Sequence, residues 1–113
     1  MATSHVHPRP GHPQAPADLL DAAAALFRAI GEPSRLRLLV ELSHGERCVT
    51  DVADQLGEPL SAVSHRLRLL RGERLVVRRR DGRHVYYALA DHHVGDLITN
   101  ALAHAREHLE EAR

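Results

Sequence analysis

Apolar residues recur along this chain with two different periods. From residue 17 to 30, Leu19, Leu20, Ala23, Leu26, Phe27 and Ile30 keep the three-to-four spacing of one helical face, and Gly31 follows as the C′ residue of that helix. Glu32-Pro33-Ser34 opens a second helix with Pro33 in its first turn, where the missing N–H would have had no helical partner anyway. Leu36, Leu39, Val40 and Leu42 form its apolar side, and His44-Gly45 ends it. A short helix then starts at Val49 or Thr50 and runs to Leu56, stopped by Gly57. After Glu58-Pro59-Leu60 comes another helix over residues 61–71, with Val63, Leu67 and Leu70 turned inward. Two short helices joined by a tight, glycine-containing turn predict a helix-turn-helix.

Beyond Arg74 the pattern changes. Residues 75–80 and 83–89 are β-prone runs around Asp81-Gly82, a dipeptide that tolerates the positive φ of a type I′ turn. A hairpin directly after a helix-turn-helix makes a winged helix. The last element, residues 91–110, carries Val94, Leu97, Ile98, Ala101, Leu102, Ala105 and Leu109 as a helical stripe. Asp91 stands at its N-cap or first turn, where a carboxylate is favourable. The predicted fold is mainly α with a small β-hairpin. Residues 17–110 form its single domain, preceded by an arm, residues 1–16, whose Pro8, Pro10, Pro13, Pro16 and Gly11 predict flexibility.

Composition narrows the function. One cysteine in 113 residues excludes an intrachain disulfide framework and a Cys-x-x-Cys site. No apolar run approaches the ~18 residues of a membrane span, and the first 17 residues lack the apolar core of a signal peptide, so a cytoplasmic protein with no membrane partner is expected. All 15 basic residues are arginine, and the formal net charge of zero hides a strong asymmetry. Between Ser64 and His84 eight arginines stand against two acids, whereas Asp91 to Arg113 holds five acids against two arginines. A basic reading helix beside a basic hairpin points to double-stranded DNA. Ser61, Ser64 and His65 are the candidates for base edges. Arg66 and Arg68 are candidates for phosphates, with Arg79, Arg80 and Arg83 at the wing tip.

Histidines supply the second chemistry. His93 and His104 lie eleven residues apart on the last helix, so they differ by only ~20° around the axis but by ~16.5 Å along it. Ligands of one zinc ion lie within ~4 Å of each other, since each bond is ~2.0–2.1 Å. One helix cannot close such a site. Two copies packed antiparallel can, with His93 of one chain beside His104 and Glu107 of the other and the two-fold axis generating two sites. His104 and Glu107 are i,i+3 neighbours. Asp91 and His93 are two apart and need Asp91 to sit where the backbone is not yet helical. Two imidazoles and two carboxylates suit tetrahedral Zn²⁺ with no water position left open, an arrangement that senses or stabilises and does not hydrolyse. No His-Glu-x-x-His motif or nucleophile-base pair is present, and an enzyme is not expected. From spacing alone, a solvent-facing histidine-rich helix remains the alternative.

Four segments resemble one known family: residues 32–39 (Glu-Pro-Ser-Arg-Leu-Arg-Leu-Leu), 48–53 (Cys-Val-Thr-Asp-Val-Ala), 61–70 (Ser-Ala-Val-Ser-His-Arg-Leu-Arg-Leu-Leu) and 82–87 (Gly-Arg-His-Val-Tyr-Tyr). In order and spacing they look like the ArsR/SmtB metal-sensing repressors, over about residues 19–109. The family pattern Asp-x-His-x10-His-x2-(Glu/His) is matched by Asp91, His93, His104 and Glu107. The resemblance is closest to the zinc-sensing branch. It implies a winged-helix homodimer, joined through its N- and C-terminal helices. Such a dimer binds an operator inverted repeat without metal and releases it on binding Zn²⁺. It also implies that a ligand histidine couples through its second ring nitrogen to the end of the reading helix, here His104 to residues 70–74. Some members carry a second metal site, to which Cys48 and Asp51 correspond, with His5, His7 and His12 in place of arm cysteines. Arm histidines added to the last-helix site would favour Ni²⁺ or Co²⁺. The competing reading is a winged-helix DNA-binding protein with no metal regulation.

Overall fold

The computed structural model describes residues 14–113. Helices α1 (Ala17–Ile30), α2 (Pro33–Leu42), α3 (Val49–Leu56), α4 (Leu60–Gly72) and α5 (His92–Glu111) surround a small sheet of β1 (Arg47–Cys48), β2 (Val76–Asp81) and β3 (His84–Leu89). The strands run antiparallel in the order β1-β3-β2. Helices α3 and α4 form the helix-turn-helix, and β2 and β3 form the wing. The hairpin has the expected Asp81-Gly82 corner, with Gly82 at φ 60°. The third strand is an addition to the predicted hairpin. It is two residues long, pairing Arg47 with Tyr87 and Cys48 with Tyr86. No alternation can be read from two residues, so its pattern is invisible in the sequence.

The core is aliphatic. Leu38, Leu39, Val63, Leu67 and Leu70 have no exposed surface, and Val52, Leu75, Val76 and Ile98 are nearly as enclosed. All three inward positions expected on α4 are therefore inside. Tyr87 packs into this core from β3.

The α1–α2 corner departs from expectation in one respect. Gly31 is not left-handed: its φ is −73°, and its N–H donates to Phe27 O at 2.8 Å. A Cβ there would meet the same oxygen at 3.1 Å, so a side chain would need this corner to open by a few tenths of an ångström. The next residue begins α2 by accepting hydrogen bonds: the Glu32 carboxylate takes the N–H groups of Ser34 (3.1 Å) and Arg35 (2.9 Å) and the Ser34 hydroxyl. Arg35 in turn donates Nε to Ala29 O at 2.8 Å, closing the last carbonyls of α1.

The apolar stripe of α1 is different in kind from a core face. Ile30 is buried, but Leu19, Leu20 and Phe27 are 49, 55 and 60% exposed. On α5 the stripe divides: Val94 and Ile98 are buried, while Leu109 at the far end is 60% exposed. Both terminal helices thus present apolar surface that the described residues leave uncovered.

The Ser34 hydroxyl and the neighbouring N–H groups hold the Glu32 carboxyl below its ordinary value of 4.5, and Arg66 and Arg79 do the same for Glu58 and Glu46. A carboxyl whose value is depressed by folding stabilises the fold fully above its unfolded value and loses that contribution as pH falls through the folded one. Thermal melts should therefore be flat from neutral pH to about pH 5 and fall below about pH 4.5. Glu32→Gln should melt lower at neutral pH and show a shallower acid decline; an unchanged acid limb would contradict the cap's role.

Candidate functional site

The reading helix presents a coherent stripe. Ser61, Ser64, His65 and Arg68 stand at i, i+3, i+4 and i+7, one face of α4 opposite the buried Val63, Leu67 and Leu70. Ser61, His65 and Arg68 are exposed and Ser64 is half-buried. Arg66 lies off this stripe. Its guanidinium forms a two-pronged pair with Glu58, with Nη1 3.2 Å from Oε2, and its side chain is only 14% exposed. The pair pushes the Arg66 guanidinium further up and ties α4 to the turn that precedes it.

The wing arginines also separate by face. Direct partners across β2 and β3 are Arg78 with Tyr87, Arg79 with Tyr86, and Arg80 with Val85. Arg78 and Arg80 therefore share one face and Arg79 the other. Arg80 and Arg83 are exposed and form no ion pair among the described residues. Arg79 is held by Glu46. Glu46 and Glu58, as partners of two expected DNA contacts, carry no signal in the sequence: Glu46 lies 33 residues from Arg79, and Glu58, eight residues from Arg66, is outside the i,i+3 and i,i+4 spacings that pair side chains on a helix. The alternation of β2 does, however, already separate Arg79 from Arg80.

At the start of α5, Asp91 is the N-cap. Its backbone is extended (φ −162°, ψ 179°), and Oδ1 accepts the N–H of Val94 at 3.2 Å. That hydrogen bond, with His93 adding to it, holds the Asp91 carboxyl below its ordinary range. The extended cap removes the splay a regular helix would impose. Oδ1 of Asp91 lies 3.6 Å from Nδ1 of His93, close to the ~3.3 Å between two donors on one tetrahedral ion with ~2.0 Å bonds. His104 and Glu107, about three and four turns further on, are exposed. Among the described residues of one chain, no three His, Cys, Asp or Glu side chains converge to hold a metal. The structure thus brings Asp91 together with His93 and leaves both separated along the helix from His104 and Glu107.

At the second place considered, Cys48 is buried at the N-cap of α3. Its Sγ lies 3.2 Å from Thr50 Oγ1 and 3.9 Å from His84 Nδ1. The Thr50 hydroxyl, chiefly, draws the thiol below its ordinary range. Asp51 is exposed in the first turn of α3. His5, His7 and His12 lie outside the described residues.

The Asp91–His93 pair adjoins the end of α4. A cleft of about 520 Å³ is lined by Ala22 and Leu26 of α1, Arg74 and Leu75 after α4, and Asp91 and His93. Helix α4 ends in a Schellman motif: the Arg74 N–H donates to Arg71 O at 2.9 Å, and Leu75 N–H to Leu70 O at 3.0 Å. Ala90, the residue before Asp91, donates its N–H to Leu75 O at 3.0 Å. Two backbone hydrogen bonds therefore connect Asp91's neighbour to the last turn of α4.

The family model for bacterial regulatory proteins of the arsR family matches residues 32–77. A transcriptional repressor SmtB homolog from Synechocystis is 48% identical over 90 residues, 80% of this chain and 68% of its own length. The chain belongs to the arsR family. A second relative, the transcriptional regulator NmtR of Mycobacterium tuberculosis, is 46% identical over 99 residues, 86% of this chain and 82% of its own. Among solved structures, the homodimeric winged helix-turn-helix DNA-binding domain Mb0332 from Mycobacterium bovis superposes with a TM-score of 0.80 at 35% identity. That match covers 91% of this chain and 95% of the other. This arsR-family regulator is a winged helix-turn-helix protein of a DNA-binding class and not an enzyme. No helix among its described residues is long and apolar enough to cross a membrane.

The regulator's two left-handed helix ends differ in residue type. Gly57, after α3, and Arg74, after α4, occupy the same motif position at φ 67° and 60°. A side chain there costs about 1 kcal/mol that glycine avoids. Arg74→Gly should raise the urea midpoint without changing the slope, a gain of about 0.5–1 kcal/mol. A lower midpoint would show that the Arg74 side chain contributes more than its backbone costs.

Proposed function

We propose that this regulator is a zinc-responsive repressor: a homodimer that binds an operator inverted repeat without metal and releases it when Zn²⁺ is held between the two α5 helices. The observation that carries the reading is the Asp91–His93 pair, two donors 3.6 Å apart at the start of a helix, with His104 and Glu107 too far along the same helix to join them. An antiparallel partner supplies the missing pair. The apolar residues of α1 and α5 left uncovered by the described residues support the same packing, since a second chain would take Leu19, Leu20, Phe27 and Leu109 out of water.

Zn²⁺ at such a site supplies a cross-link between protomers. The rest is done by the chain itself. Asp91 caps α5 through Oδ1, the same oxygen that lies 3.6 Å from His93 Nδ1, so one carboxylate faces both the helix start and the imidazole. Two reading helices enter successive major grooves only at a fixed separation, and the backbone bonds from Ala90 to Leu75 and from Leu75 to Leu70 fix α4 to the start of α5. A change in how the α5 helices pack is thereby passed to α4. His104 of the partner would approach the same cleft, beside residues 70–74.

Ser61, Ser64 and His65 are assigned to bases, with Arg68, Arg80 and Arg83 on phosphates. Two nitrogen and two oxygen donors suit zinc first; nickel or cobalt would draw further ligands from the arm. The Cys48 and Asp51 place has Thr50 and His84 as neighbours, and among the described residues no three ligating side chains converge there; it is left as a secondary site dependent on His5, His7 and His12. The protein is expected to work in the cytoplasm.

Anisotropy titrations of a duplex selected from a random library by the metal-free protein, repeated with Zn²⁺, Ni²⁺ and Co²⁺, test the reading. Zn²⁺ should lower DNA affinity by about 5- to 150-fold. Asp91→Ala and His104→Ala should bind DNA normally without metal and lose the release. Affinity unchanged by any of the three ions, with equilibrium dialysis showing them unbound, would leave a winged-helix DNA-binding protein without metal regulation.

A further inference from the structure

Glu46 lies in the turn after α2, just ahead of β1, whereas Arg79 lies on β2, at the opposite edge of the sheet. Between them runs β3. The two side chains nevertheless meet: Arg79 Nε is 3.0 and 2.9 Å from the two Glu46 oxygens, and Nη2 is 2.7 Å from Oε1. The guanidinium also lies over the Tyr86 ring, 4.4 Å from its centre. This clasp spans all three strands on one face of the wing. It is placed where the backbone alone is weakest, because β1 is joined to β3 by only two residue pairs. Beside it, Arg47 donates to Gln55 Oε1 at 2.6 Å, and Gln55 donates to Glu41 at 3.1 Å, anchoring β1 to α2 and α3. The helix-turn-helix and the wing are thus bridged through β1, and Glu46–Arg79 is the outermost tie.

We propose that Glu46 and Arg79 are positioning residues of the DNA-binding wing. They set the angle at which Arg80 and Arg83 meet the phosphates, and Arg79 is not itself a phosphate contact. The two faces of β2 support the division: Arg80 alternates away from Arg79 and forms no ion pair among the described residues. Arg79 has a carboxylate on its donors and an aromatic ring against its plane, so reaching a phosphate would mean giving up both.

The inference rests on the DNA-binding reading and not on the metal site, so the experiment is done in chelator. Affinity for the library-selected duplex is measured across a salt series for Glu46→Gln, Arg79→Gln, Arg79→Lys, the Gln/Gln double variant and Arg80→Gln. A phosphate contact contributes about 0.9 to the slope of log affinity against log salt, per protomer. Arg80→Gln should flatten the slope by that amount. Glu46→Gln and Arg79→Gln should each weaken binding by up to about fivefold with the slope unchanged. The double variant should be no weaker than the worse single one. Arg79→Lys keeps the charge but loses the two-pronged geometry, so it should behave like Arg79→Gln. Its charge-preserving change also keeps the test valid if a neutral variant folds poorly. The proposal is overturned if Arg79→Gln flattens the slope as Arg80→Gln does while Arg79→Lys restores it. It is equally overturned if Glu46→Gln tightens binding, as removal of a competitor for a phosphate-seeking arginine would. An unchanged slope in Arg80→Gln as well would take the wing off the DNA and overturn the DNA-facing wing along with the clasp.

Discussion

A straight helix keeps its residues apart. Asp91 and His93 begin α5, and His104 and Glu107 follow after a rise of ~16.5 Å, far beyond the span of a single ion's ligands. Side-chain rotation cannot close that gap. Either the two pairs act separately or a second helix running the other way brings them together. The proposed dimer, the two symmetric sites and the coupling of metal to DNA all follow from the second choice.

Local structure makes that choice chemically reasonable. Asp91 is in an extended conformation because it caps the helix, and the same conformation brings its carboxylate within 3.6 Å of His93. Capping and the proposed ligation would thus both follow from one backbone geometry. The cap adjoins a second helix end, that of α4, where Arg74 takes the left-handed position that Gly57 takes after α3. Leu75 is shared between them, giving its N–H to Leu70 and its carbonyl to Ala90. Helix α4 and the start of α5 are therefore joined by backbone, which has fewer ways to relax than a side-chain contact.

Much of this was legible in the sequence. The five helices, the Asp81-Gly82 hairpin, the inward Val63, Leu67 and Leu70 and the capping position of Asp91 follow from periodicity and end signals. What escaped was non-local. The two-residue β1 strand exists only because β3 lies beside it. The ion pairs Glu58–Arg66 and Glu46–Arg79 join residues 8 and 33 positions apart, and they engage two arginines that charge counting assigned to phosphates. Gly31 follows the first helix as expected, but with φ −73° and not the positive φ usual at a C′ glycine. Charge counting finds a basic surface; it does not tell which of its cations already have partners.

The antiparallel pairing is tested most directly by complementation. One chain carries Asp91→Ala and His93→Ala, the other His104→Ala and Glu107→Ala. The two are co-expressed with different tags and purified as the mixed dimer. Neither homodimer should bind Zn²⁺ tightly, and the mixed dimer should bind about one ion where the unmodified dimer binds about two. A mixed dimer that regains no site, or a homodimer that keeps one, would contradict a site built across two chains.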